Sequence, residues 1–217
     1  MNEDRPIGAR EAARRRVSGA LASAARSLVA ENGYDDTTIE MIAERAGVSR
    51  RTFFRHFETK DAVLLHFYDE LGDQIVEAID QAADELPMQF ALSEAFRVVE
   101  RFLSDPVEHA SQVALVQMIS ESPRLDAARN YRRRRTVELA THALMRREQR
   151  QGREISRLVA GAISGATFSC LYAAEHEYLR DPSQDPVGLF DEAAAGVYAA
   201  MTDSYAFREQ EAAAAAS

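Results

Sequence analysis

Arg51 and Arg55 stand four residues apart in the run Arg50-Arg51-Thr52-Phe53-Phe54-Arg55-His56-Phe57, and Lys60 follows close behind. A guanidinium can offer two parallel donors to guanine O6 and N7 or to a phosphate, and a Thr hydroxyl can bond a phosphate or set its methyl against thymine. The chemistry on offer is recognition of anions and base edges. On a helix turning about 100° per residue, with Phe53 at zero, Phe57 falls at about 40°, Arg51 at about 160°, Arg55 at about 200° and Thr52 at about 260°. Rings face one way and arginines the other. A two-turn helix holds itself together poorly in water, so its aromatic side must dock on neighbouring helices and leave Arg51, Thr52 and Arg55 for a partner. Whether each arginine meets a base or a phosphate stays open at this level. Lys60, with the free N–H groups of a helix starting there, makes a small anion site.

The elements that must hold this face can be read outward from it. A first helix is predicted from about Arg10 to Glu31, with Val17, Leu21 and Leu28 on one stripe and Asn32-Gly33 as its stop. Thr37 lies three residues before Glu40, the spacing of a reciprocal cap, so a second helix is predicted to begin there with Ile39, Ile42, Ala43 and Ala46 inward. Gly47 breaks it, Val48 plugs the core and Ser49 caps the third helix, Arg50 to about His56. Helix, Gly-containing turn, helix is the arrangement in which the second helix enters a major groove. Thr59 caps a fourth helix expected to run unbroken from Lys60 through Leu71, Ile75 and Ile79 to about Glu85. Further helices are expected near 89–104, 107–121, 124–149, 152–180 and 186–206, about nine in all. Period-two strand patterns are scarce, so the fold class is all-α: a three-helix helix-turn-helix head and a C-terminal helical bundle.

The chain has 217 residues, 46% of them apolar, which is enough for a sizeable core and argues against disorder. Its net charge of −9 is unevenly spread: residues 1–60 hold 11 basic and 9 acidic groups, whereas 61–217 hold 15 and 26. The two halves are therefore expected to do different jobs. A single Cys, Cys170, excludes an internal disulfide framework and fits a reducing compartment. The opening residues lack the apolar stretch of a secretory signal, so a cytoplasmic location is expected.

Gly33-Tyr34, Thr37-Thr38, Ile42-Ala43, Ala46-Gly47-Val48-Ser49, Thr52 to Phe57 and Lys60 together resemble the N-terminal domain of the TetR family of transcriptional regulators, over about residues 12–65. The resemblance implies homodimers, mostly repressors, with about nine helices and a ligand-binding C-terminal region. It implies phosphate contact from Thr38, His56 and Lys60, and base or backbone contact from Arg50, Arg51, Thr52 and Arg55. Phe54 departs from the pattern, standing where many members carry a Tyr whose hydroxyl reaches a phosphate; that contact is absent here or replaced by a neighbouring Arg. The stretch Val113 to Leu144, with Ser122-Pro123-Arg124-Leu125 inside it, is similar to actinobacterial regulators of the mycofactocin-associated type. One helix-turn-helix makes too few contacts for an operator, so a twofold dimer on a palindromic duplex is expected.

The domains expected are a DNA-binding head at 1–60, a connecting helix at 61–85, a ligand-binding and dimerisation region at 86–206 and a disordered tail at 207–217. An effector, largely apolar, should lie among facing side chains of the bundle. Candidates are Phe96, Phe102, Leu115, Met118, Tyr131, Phe168 and Tyr172, with Glu175 and His176 as polar anchors; ordinary core packing is the alternative for each. Its binding would reach the head through the fourth helix. Gly161, Ala162, Gly165 and Ser169, with Val197 and Met201, offer a close-approach face for a dimer, the alternative being a helix buried within one subunit.

Leu158 to Ala174 carries no charge, yet its small and hydroxyl residues and its charged flanks argue against a membrane span. The Arg132 to Arg135 run circles its helix and reads as a solvated or salt-bridged face. His109, His142 and His176 each lack a His partner four residues on, and no phosphate loop or zinc-protease spacing appears, so no catalytic residue, metal or cofactor is assigned. A helical ligand-binding adaptor without DNA function is the rival reading, and an all-α enzyme a more distant one.

Overall fold

In the computed structural model, which describes residues 7–98 and 106–215, every regular element among those residues is an α-helix. In chain order these are α1 (Ile7–Asn32), α2 (Ile39–Arg45), α3 (Arg50–His56), α4 (Lys60–Leu64), α5 (His66–Gln81), α6 (Met88–Phe96), α7 (Pro106–Glu121), α8 (Pro123–Arg150), α9 (Arg157–Arg180) and α10 (Pro186–Ala215). They sort into two compact units. The first takes the described residues of Met1–Gly72 and Leu103–Arg133, the second those of Asp73–Phe102 and Arg134–Ser217. By these ranges α5 and α8 contribute to both.

In the first unit the stripe of α1, with Leu21 and Ala25 at 0% exposure, meets α2, α3, α4 and α7. Ile42 and Ala43 of α2, Phe53 and Phe57 of α3, and Val63 and Leu64 of α4 fill the space beneath it. The start of α2 differs from expectation. Thr38 is the cap, its hydroxyl accepting from the Met41 N–H, while Thr37 is buried and donates to the Gly33 carbonyl at 2.8 Å. A buried hydroxyl needs a partner, and the orphan carbonyl at the end of the preceding turn is the nearest one. At the α2–α3 turn Gly47 takes φ +67°, Gly47 N–H reaches the Glu44 carbonyl and Val48 N–H the Ala43 carbonyl. That closes α2 in the left-handed conformation that glycine adopts without strain.

The fourth helix expected to continue to about Glu85 is interrupted at Leu65, so there are ten helices among the described residues and not nine. Val63, Leu64, Leu65, Phe67 and Tyr68 are all buried, and one straight helix presents too narrow a stripe to bury that many neighbours on one side. At the other end α10 runs on through 207–215, where a disordered tail was expected. Its Ala- and Glu-rich composition favours the helix.

In the second unit α9 packs against α10 and α6. Phe96 contacts Phe168 edge-on at 4.8 Å between ring centroids, and Phe190 at 5.3 Å. Gly152, at φ +70°, ends α8, with Arg153 N–H bonded to the Glu148 carbonyl, and Ser156 caps α9, which starts at Arg157, five residues later than expected. By length and composition α9 could cross a membrane. Ala160, Ser164, Thr167, Cys170, Ala174 and Tyr178 bury one side of it within its own unit, and a packed helix passes the same length test.

Candidate nucleic-acid interface

Ser49 sets the direction of α3 by accepting from the Thr52 N–H at 3.1 Å. Phe53, at 0% exposure, anchors the helix, and Phe57 closes its far end with ring centroids 6.0 Å apart. The opposite side is thereby forced into solvent. Arg51 and Arg55 are exposed there, and among the described residues neither has a carboxylate partner. Arg50 differs: its Nε donates to Glu40 at 2.7 Å, and its guanidinium lies 5.2 Å from the Phe54 ring centroid. An exposed pair of this kind contributes at most about 1 kcal/mol, so a phosphate can outcompete Glu40. Phe54 is 44% exposed beside these arginines, an apolar edge suited to a thymine methyl.

Thr38 and Thr52 sit at the rims of the turn. The Thr38 oxygen is engaged by the Met41 N–H at 3.2 Å, which leaves its O–H proton for an external acceptor. Thr52 Oγ1 lies 3.0 Å from Ser49 Oγ. His56 is half-buried, with Nδ1 2.9 Å from Ser18 Oγ on α1. Burial, and then the charges of Arg55, Arg14 and His66, hold the imidazole pKa below its ordinary value. The neutral ring is thus the folded form near neutrality, which makes His56 a hydrogen-bonding group and not a cationic one. Because the unfolded chain binds this proton more readily, stability should fall as pH drops through the unfolded value of about 6.5. Thermal unfolding of wild type and His56→Gln between about pH 8 and 5.5 checks this; equal losses in both proteins would assign the effect elsewhere.

Lys60 occupies a different place from the anion site expected of it. Its ammonium donates to the carbonyls of Tyr34 and Thr37 at 2.5 and 2.7 Å and lies 4.0 Å from the Tyr34 ring centroid. Two of its three donors are spent on the loop that leads into the Thr38 cap. α4 itself has five residues, and Thr59 takes the Ala62 N–H. Lys60 therefore positions the head, with one N–H left for a phosphate. Beside it the Tyr34 hydroxyl donates to Asp61, and Arg124 Nη2 reaches the same Asp61 oxygen at 3.0 Å and the Tyr34 hydroxyl at 2.5 Å. Burial, and then the Asp61 carboxylate, raise the Tyr34 pKa and keep its proton on. Nothing in the sequence pattern marks this group, since Arg124 is far along the chain from both partners.

The residues proposed for an effector are divided between the two units. Phe96 and Phe168 meet in the second unit, whereas Leu115 and Met118 belong to the first, and Phe102 lies outside the described residues. Tyr131 is 71% exposed and Tyr172, stacked on His176, 51%; His176 is exposed too and Glu175 half-buried. The Tyr131 position is explained by α8, whose buried side carries Leu125 and Arg129, the latter neutralised by Asp126. Sequence reasoning missed Ser164, a fully buried hydroxyl with no hydrogen-bond partner among the described residues, one turn before Phe168.

The residues proposed for a dimer do share surfaces. Ala162 and Ser169 are exposed and Gly165 half-buried, all on the α9 side that also carries Leu158 at 81% exposure and Tyr172. A Cβ added at Gly165 would meet nothing within 4 Å, whereas one at Gly161 would touch the Thr141 methyl of its own unit at 3.9 Å. Val197 and Met201 are 37% and 49% exposed on α10.

Comparison with known proteins converges on one family. Residues 21–67 match the family described as bacterial regulatory proteins, tetR family. The HTH-type transcriptional regulator TcmR of Streptomyces glaucescens is 35% identical over 123 residues, 54% of each chain. The HTH-type transcriptional repressor Rv3405c of Mycobacterium tuberculosis is 36% identical over 92 residues, 42% of this chain and 49% of that one. The chain thus spans about half the length of these curated relatives. In fold alone it is similar to SmeT, the repressor of the Stenotrophomonas maltophilia multidrug efflux pump SmeDEF, with a TM-score of 0.57 and 20% identity over 84% of this chain and 89% of that one. SmeT is also known in complex with triclosan.

Proposed function

We infer that this chain, which belongs to the tetR family of bacterial regulatory proteins through its residues 21–67, is a cytoplasmic transcriptional regulator that represses by holding a palindromic operator as a homodimer. The observation that carries the reading is the pair of guanidinium groups, Arg51 and Arg55, without a carboxylate partner among the described residues, on the outer side of a helix anchored by Phe53. Arg50, Thr38, Thr52 and the remaining Lys60 N–H supply phosphate contacts around it. The exposed apolar side of α9, with Val197 and Met201 of α10, supports dimerisation. Two heads are needed, because one makes too few contacts for a specific affinity.

An effector of small, largely apolar character is supported by the Phe96, Phe168 and Phe190 cluster, where the orphan Ser164 hydroxyl could take one polar atom. The triclosan complex of SmeT is a precedent in another protein of this fold. Two helices, α5 and α8, pass from the effector-bearing unit into the head-bearing one. Arg124, the second residue of α8, grips Asp61 and Tyr34, so a shift of α8 would pull on the loop before α2. A ligand releases DNA only by as much as it prefers the non-binding arrangement. The test is selection of duplexes by the full chain from a random library: a palindrome with half-sites one helical turn or a multiple of it apart is expected, and no enrichment would refute the reading.

A further inference from the structure

The hydrogen bond between Ser18 and His56 fixes the N-terminal stretch of α1 beside the end of α3. Arg14 precedes Ser18 by four residues, about 6 Å along the same side of α1. Its guanidinium is exposed and, among the described residues, has no carboxylate partner, whereas the adjacent Arg15 is engaged by Glu11 at 3.4 Å. Arg55 directly precedes His56 on α3, and the charges of Arg55 and Arg14 both act to lower the His56 pKa. Like charges near one another oppose folding, and among the described residues no carboxylate pairs with Arg14 to offset this. An external anion would. α3 is the groove-entering helix, and phosphates line the rim of the groove where its end emerges.

We propose that Arg14 is a DNA-contact residue, binding a backbone phosphate that flanks the major groove occupied by α3. The proposal rests on the regulator reading above. It extends the contact surface from the helix-turn-helix to α1, adding affinity and register without sequence preference.

The full-length chain is titrated with its selected palindrome, labelled for fluorescence anisotropy, across a salt series at about pH 8, where His56 is neutral. Arg14→Ala should reduce the slope of log affinity against log salt by about 0.9 for each Arg14 lost, and affinity at low salt several-fold. Arg14→Lys should keep most of that slope, and Arg15→Ala all of it. On a duplex trimmed to the palindrome itself, wild type should lose the same increment and Arg14→Ala no more. An unchanged slope and affinity for Arg14→Ala, while Arg51→Ala weakens binding, would overturn the Arg14 proposal and leave the regulator reading intact. A wild-type chain that prefers no selected duplex over a scrambled one would overturn both.

Discussion

Replacing Arg51 and Arg55 together by Ala should weaken binding to the selected palindrome by about 30-fold to more than 10⁴-fold for each half-site, since each bidentate contact contributes about 1–3 kcal/mol. The variant should fold as wild type does, because both side chains are exposed and no partner within the described residues depends on them. The single variants sort the roles. One that reads guanine relaxes the preference at one base position and costs little on an operator already mutated there; one that holds a phosphate costs the same on every duplex and flattens the salt dependence by about one contact. A double variant that binds like wild type would show that this face does not meet DNA.

The second large effect concerns stability. Arg147 has no exposed surface, yet its guanidinium donates to Glu148 at 2.7 Å and to the carbonyls of Ala83 and Leu86 at 2.5 and 2.8 Å. It therefore ties α8 to the chain between α5 and α6. Arg147→Ala would remove the guanidinium from both carbonyls, of which that of Ala83 keeps the Leu86 N–H at 3.2 Å, and would leave Glu148 buried with Arg153 at 2.7 Å. A loss of about 3–5 kcal/mol is expected, read as a lower midpoint in urea. Arg147→Met restores volume without the donors and should recover little, whereas adding Glu148→Gln to it should recover part of the loss. A loss below about 1 kcal/mol would mean that water or relaxation satisfies these groups.

Much of the head is legible in the sequence because its constraints are local. Ser49 and Thr59 cap the helices that follow them, Gly47 turns the chain and Phe53 points inward, each within a few residues of its partners. Thr37 and Thr38 were exchanged because both have a capping side chain, and only the burial of Thr37 decides between them. The role of Lys60 was hidden for the opposite reason. Its two carbonyl partners come from a loop more than twenty residues earlier, and a cation at a helix start looks the same in sequence whether it turns outward or back. The Tyr34, Asp61 and Arg124 group is invisible to periodicity on the same ground. In the bundle, Tyr131 fits an inward pattern as well as Arg129 does by hydrophobicity alone. It is Asp126, pairing with Arg129, that lets a charged residue take the buried side.

The central claim is that a pair of these heads recognises one duplex by sequence. Titration of the full chain against its selected palindrome and a scrambled duplex of equal length, at about 150 mM salt, tests it most directly. The account predicts two chains per palindrome and a preference of at least about 10³-fold over the scrambled duplex; equal affinity for both would contradict it.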